Sequence, residues 1–125
     1  MKGLTLDASA LIAFDRADRF VVSLLARSLE LELGIAVPSG ALAQAWRDGR
    51  RQARLARLLR STQVQVEPLT DQRARAAGQL CGATGTRDIV DASVVLCARE
   101  HGHSVATSDV SDLERLDARL RLISV

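Results

Sequence analysis

Leu4-Thr5-Leu6-Asp7-Ala8-Ser9-Ala10-Leu11-Ile12 decides how this chain is read. An apolar run near the start breaks off at an acid, and a helix-favouring segment follows at once. Leu4 to Leu6 predicts a short buried strand, and Ser9 to Phe14 a short helix. The alternation then continues along the chain. Asp18 stands where a helix cap belongs; Val21, Leu24, Leu25 and Leu29 share one face of the helix that follows, and Gly34 closes it. Ile35 to Val37 reads as a second strand before Pro38, and Ser39 as the cap of a helix through Trp46. Arg51 to Arg60 predicts a helix that buries Leu55, Leu58 and Leu59 and turns Arg50, Arg54 and Arg57 outward. Val64 and Val66 alternate with Gln63, Gln65 and Glu67, as in a strand with one wet face. Asp71 to Cys81 is an alanine-rich helix, Gly82 to Gly85 a loop, and Ile89 to Glu100 a helix apolar nearly all round. Ser104 to Thr107 is a strand, Asp112 to Arg119 a helix and Leu122 to Val125 a last strand. Strands alternating with helices imply an α/β fold whose parallel sheet is covered on both faces. In such sheets, sites form beyond the carboxyl ends of the strands.

A length of 125 residues predicts a single domain over 1–125. A hydrophobic share of 47% and a charged share of 26% are those of a globular chain. No apolar stretch approaches the roughly 20 residues that span a bilayer, and Asp7 comes too early for a signal peptide. Cys81 and Cys97 lie far apart with no CxxC, which fits a reduced, buried pair in a cytoplasmic protein. Lys2 is the only lysine, and no GxxxxGK[ST] or GxGxxG occurs, so a P-loop nucleotidase or a Schiff-base enzyme is excluded. Phe14, Phe20 and Trp46 are too few for an aromatic base-stacking platform.

The acids carry the chemistry. Asp7 follows the first strand, and Asp109 follows the strand ending near Thr107 and Ser108. Neighbouring parallel strands would deliver both carboxylates to one sheet edge. Asp91 lies in the first turn of the apolar helix, with Asp88 three residues earlier on the same face. Two unit charges about 4 Å apart repel by about 4 kcal/mol at an effective dielectric of about 20. A hard divalent ion with oxygen ligands, Mg²⁺ or Mn²⁺, is the simplest remedy, and it suits phosphodiester chemistry. No zinc pattern occurs; His101 and His103 stand at a helix-to-strand turn with no ligand partner at useful spacing.

Charge is unevenly placed. The whole chain carries +2, yet Arg47 to Arg60 holds six arginines against the single acid Asp48, a net +5. The remaining eleven bases and fourteen acids leave −3 elsewhere. Arg47, Arg50 and Arg54 are therefore candidates for meeting a nucleic-acid phosphate backbone, although the segment reads equally as a solvated face or a surface for an acidic protein partner. Taken alone, Asp88 reads first as a helix cap; Asp7 reads equally as the cap of the first short helix, and Asp109 and Asp112 as turn and cap residues. An acid at Asp91, among Ile89, Val90, Ala92 and Val94, is expected to be at least partly buried and in need of a partner.

Three blocks, Leu4 to Ile12, Asp88-Ile89-Val90-Asp91-Ala92 and Val105-Ala106-Thr107-Ser108-Asp109, resemble the motifs of PIN domains in order and spacing. The similarity is closest to VapC-type toxin ribonucleases of type II toxin–antitoxin pairs; Ala43 to Arg47 and the arginine segment share it, so it spans essentially the whole chain. The resemblance implies a PIN-like three-layer fold, with a parallel central sheet of about five strands flanked by helices. It implies a Mg²⁺- or Mn²⁺-dependent endoribonuclease that cleaves single-stranded RNA by metal-activated water. Asp7, Asp91 and Asp109 would be its catalytic acids and metal ligands, with Ser9, Gln44, Asp88, Thr107, Ser108 and Asp112 as auxiliaries. It also implies a homodimer silenced by a cognate antitoxin. One departure stands out: Gln44 occupies the place of the family's usual second acid, and an amide adds no charge and cannot act as a base. The alternative is therefore a catalytically silent PIN-like module that binds RNA or an antitoxin. A receiver-type domain with Asp7 as phospho-acceptor is a third reading, disfavoured by the lone lysine at position 2.

Overall fold

The computed structural model describes residues 2–125. The chain runs β1 (Gly3–Leu6), α1 (Ala8–Asp15), α2 (Arg19–Glu30), β2 (Gly34–Pro38), α3 (Ser39–Ala45), α4 (Ala53–Leu59) and β3 (Val64–Glu67). It continues through α5 (Asp71–Thr84), α6 (Ile89–His101), β4 (Ser104–Thr107), α7 (Val110–Leu116) and β5 (Leu122–Ser124). The five strands form one sheet in the order β3-β2-β1-β4-β5, with every pair parallel. The expectation of a parallel sheet of about five strands is thus met.

This order fixes where a site can lie. From β1 the chain lays β2 and then β3 to one side, and returns to place β4 and β5 on the other. The reversal falls between β1 and β4, where an open parallel sheet leaves a crevice at its carboxyl edge. Leu4, Leu6, Val37, Val105 and Ala106 are fully buried in the sheet, and Leu11, Val21, Leu55, Val94, Val95 and Leu113 close over them from the helices. Each large aliphatic side chain buried here contributes about 1.5–3 kcal/mol.

Gly3 pairs with Gly34 across β1 and β2. A Cβ at Gly3 would strike the Gly34 carbonyl oxygen and the His103 ring. Gly3→Ala is expected to cost about 1–3 kcal/mol through this overpacking, read as a lower melting temperature by circular dichroism; an unchanged melting temperature would mean the strands have slack at this point.

Several boundaries differ from the sequence reading, each for a local reason. α2 ends at Glu30, and Gly34 is instead the first residue of β2. Ser39 is not a cap but the first residue of α3; its hydroxyl accepts from the Leu69 amide at 3.1 Å. The arginine segment does not continue as a helix from Arg51. Trp46 is extended, and the Gln52 side chain accepts from the Arg47 and Asp48 amides and donates to the Ala45 carbonyl, closing a turn. α5 absorbs Gly82 and Ala83 and runs to Thr84, ending on left-handed Gly85 (φ 71°). α7 starts at Val110 because Asp109 already stands at its cap position. In β3 the alternation fails at its end: Val66 is 41% exposed on this edge strand, while Glu67 turns under α6. Cys81 and Cys97 are both buried and free, as expected. No helix among the described residues is long and apolar enough to cross a membrane.

Candidate active site

Asp7 leaves β1 at the crevice and is 3% exposed. Its carboxylate caps α1: Oδ1 accepts from the Ala10 amide at 3.0 Å and from the Ser9 hydroxyl at 2.6 Å. Oδ2 accepts from the Thr107 hydroxyl at the end of β4. The Thr107 oxygen accepts in turn from the Asp109 amide at 2.8 Å, and the Ser9 oxygen accepts from the Ser108 amide at 2.9 Å. The loops after β1 and β4 are therefore laced together through one buried carboxylate. The cap reading of Asp7 and its placement at the crevice both hold. Every hydroxyl the sequence singled out in these loops except that of Ser108, which contributes its amide, takes part in the lacing.

Asp91 reaches the same crevice from the first turn of α6. Asp88 is the cap of that helix, its Oδ1 accepting from the Asp91 amide at 2.9 Å. Half-burial pushes the Asp91 carboxyl up to about 7, and the neighbouring charges of Asp88, Asp7, Asp109 and Asp112 push the same way. Asp109 is also raised, by partial desolvation first and then by Asp7, Asp112 and Asp88. The fold thus gathers acids from β1, α6, β4 and α7 into one field. Among the described residues, no salt bridge reaches any of these five. Asp117 is the contrast: burial would raise its carboxyl, but hydrogen bonds from Arg99 (2.7 Å) and the Arg119 amide hold it below the usual range. A chain with sixteen arginines pairs that acid and leaves the crevice acids unpaired.

The donors here are all oxygens, the set that suits a hard divalent cation rather than zinc. Among the described residues, no three of the aspartates bring one oxygen each within 4.8 Å of the others. Beside Asp88, Asp91 and Asp112 a cavity of about 240 Å³ opens between Arg87 and Arg115. Sequence reasoning missed these two arginines, because a single base before a cap or inside a short helix leaves no pattern. Both are exposed at the rim.

Gln44 is exposed on α3 and makes no hydrogen bond to the acids. Arg47 folds back on its own backbone, donating to the Trp46 carbonyl at 2.7 Å and the Ala43 carbonyl at 3.3 Å. Arg50 sits in the turn before α4, and Arg54 is exposed on α4. The reading of His101 as lacking ligand partners is corrected: its Nε2 meets Glu67 Oε2, and Cys97 lies beside them. Residue separations of 30 and 34 from Glu67 kept that meeting out of any local spacing.

The comparisons bear on the fold. The family model described as "PIN domain" matches residues 4–119. A search of curated protein sequences finds no match. Among solved structures, VapBC2 from Rickettsia felis, bound to a DNA fragment from its promoter, superposes with a TM-score of 0.70 at 15% identity, covering 98% of each chain. FitAcB from Neisseria gonorrhoeae gives 0.64 at 19% identity, over 97% of this chain and 96% of that one. VapC20 from Mycobacterium tuberculosis, a sarcin–ricin loop cleaving toxin, gives 0.64 at 20% identity, over 88% and 94%. These likenesses establish a shared fold, and the family match covers nearly the whole chain. The chain belongs to the PIN domain family.

Proposed function

We propose that this chain, as one domain over 1–125, is the endoribonuclease toxin of a type II toxin–antitoxin pair and cuts single-stranded RNA. PIN domains are in general nucleases, and the observation that carries the reading is the unpaired acid cluster at the β1–β4 crevice. Its donor set fits Mg²⁺ or Mn²⁺, with Asp7, Asp91 and Asp109 as the holding residues and Asp88 and Asp112 beside them. When bound, such an ion supplies Lewis-acid stabilisation of a phosphodiester and a lowered pKa for attacking water.

The chain's own residues do the rest. Ser9 and Thr107 fix both oxygens of Asp7 in place, so it meets the substrate without reorganising. Asp91, whose carboxyl burial and the neighbouring acids push up, gains in a held cation the counter-charge that its surroundings lack. Arg87 and Arg115 stand where a phosphate entering the cavity would find them. Arg47, Arg50 and Arg54 offer a second basic track along the segment that carries +5. The buried, fully bonded state of Asp7 disfavours the phospho-acceptor reading.

A toxin needs a partner. The neighbours VapBC2 and FitAcB carry two-component names, and VapC20 is called a toxin; a cognate antitoxin and a homodimer are proposed here by that likeness. The silent-module reading rests on Gln44, an exposed amide on α3 that makes no hydrogen bond to the acids. A single assay separates the two. Single-stranded RNA incubated with the chain and Mn²⁺ is expected to be cleaved, and a chelator is expected to stop cleavage. Cleavage that persists in the chelator would overturn the metal-dependent mechanism, and intact RNA under both conditions would favour the silent module.

A further inference from the structure

A second donor cluster lies on the other side of the sheet's centre line, under the carboxyl half of α6. Cys97 and His101 are one helical turn apart, so both side chains face the same way. α6 lies over β1 and β2, and Glu67, the last residue of β3, meets it there. Glu67 Oε1 is 3.4 Å from Cys97 Sγ, and Glu67 Oε2 contacts His101 Nε2. The three donor atoms lie within 4.8 Å of one another. Tetrahedral zinc with Zn–S of about 2.3 Å and Zn–O of about 2.1 Å separates those two ligands by about 3.6 Å.

The donor chemistry differs from that of the crevice. A sulfur, an imidazole nitrogen and one carboxylate form a set for zinc, whereas all-oxygen sites favour magnesium or manganese. Cys97 is fully buried, the Glu67 side chain is 17% exposed and that of His101 33%. A cavity of about 300 Å³, bounded by Gly34, Gln63, Gln65, Glu67, His101 and His103, gives solvent a way in. It leaves room for water as a fourth ligand. The surroundings hold the donors in place: the Thr5 hydroxyl lies 3.9 Å from Cys97 Sγ and 3.0 Å from His103 Nδ1, and the His103 ring stacks on His101. Arg73, 3.8 Å from Glu67 Oε1, works against a cation, but it also pairs with Glu100 and can stay there.

We propose that Glu67, Cys97 and His101 bind a zinc ion that ties the edge strand β3 to α6. Coordination releases the Cys97 thiol proton, and any proton shared by His101 and Glu67, to solvent. The burial and Glu67 charge that push the Cys97 thiol up to about 12 keep it inert without an ion and argue against a free nucleophile.

The test uses the full chain titrated with Co²⁺ as a spectroscopic stand-in, followed by Zn²⁺. A near-ultraviolet thiolate-to-cobalt band is expected, Zn²⁺ should abolish it, and Zn²⁺ should raise the melting temperature. Cys97→Ser should remove the band. His101→Gln, at a partly exposed position and checked for folding by circular dichroism, should weaken Co²⁺ binding by about a hundredfold. Asp7→Asn and Asp91→Asn should leave the band unchanged, which separates this site from the crevice. Absence of the band in the wild-type chain, its survival in Cys97→Ser, or unaltered affinity in a folded His101→Gln chain would each overturn the proposal.

Discussion

Asp7→Asn is expected to lower RNA cleavage at least about a hundredfold while the fold survives. The size follows from the several kcal/mol that a held divalent ion contributes to phosphodiester chemistry, at 1.36 kcal/mol per tenfold. The carboxylate is the knot between two loops, so the structural cost needs weighing separately. Asparagine keeps one acceptor oxygen for Ser9 and the Ala10 amide. Its amide nitrogen would face Thr107, whose oxygen must then accept rather than donate. One buried hydrogen bond reversed costs about 1–3 kcal/mol. Removing one negative charge offsets part of that, because Asp7 raises both Asp91 and Asp109. The check is a cleavage time course with Mn²⁺ beside a circular dichroism melt. Wild-type cleavage by a folded Asp7→Asn chain would remove Asp7 from the machinery.

Asp91→Asn should separate stability from function. In the folded chain Asp91 titrates near 7 against an ordinary 3.8, so between those values the folded state holds the extra proton. Without divalent ions, the stability this group contributes is full below about 3.8. It is lost as pH rises through 7, and above that the ionised group is a net cost. Discounted for half exposure, that cost is about 1–2 kcal/mol. The asparagine variant should therefore melt higher than wild type at alkaline pH in chelator, and the difference should vanish in acid. It should also cleave RNA at least about a hundredfold more slowly. Melting curves across this pH range provide the measurement; a variant no more stable than wild type at alkaline pH would mean that Asp91 bears no strain.

The acids were legible in the sequence because each stands at a punctuation mark. Asp7 ends a strand, Asp88 and Asp91 open a helix, and Asp109 follows another strand. Parallel strands then carry such positions to one edge with no further information needed. The strand order added what no local pattern holds, namely that β1 and β4 are neighbours at the reversal. The arginine segment misled because periodicity cannot register a side chain such as Gln52, which takes over the backbone's hydrogen bonds and breaks the helix. Val66 and Glu67 misled because alternation assumes that both faces of a strand are treated alike along its length. β3 lies at the sheet edge, where α6 covers only its end. The Glu67, Cys97 and His101 cluster was hidden for the same reason, since it exists only through that packing.

The central claim is that the crevice acids belong to one divalent-ion site. Mn²⁺ titration followed by electron paramagnetic resonance tests it without reference to any substrate. The account predicts one bound Mn²⁺ per chain, lost in both Asp7→Asn and Asp91→Asn and retained in Cys97→Ser. Mn²⁺ binding that both aspartate variants leave intact, or no binding by the wild-type chain, would contradict it.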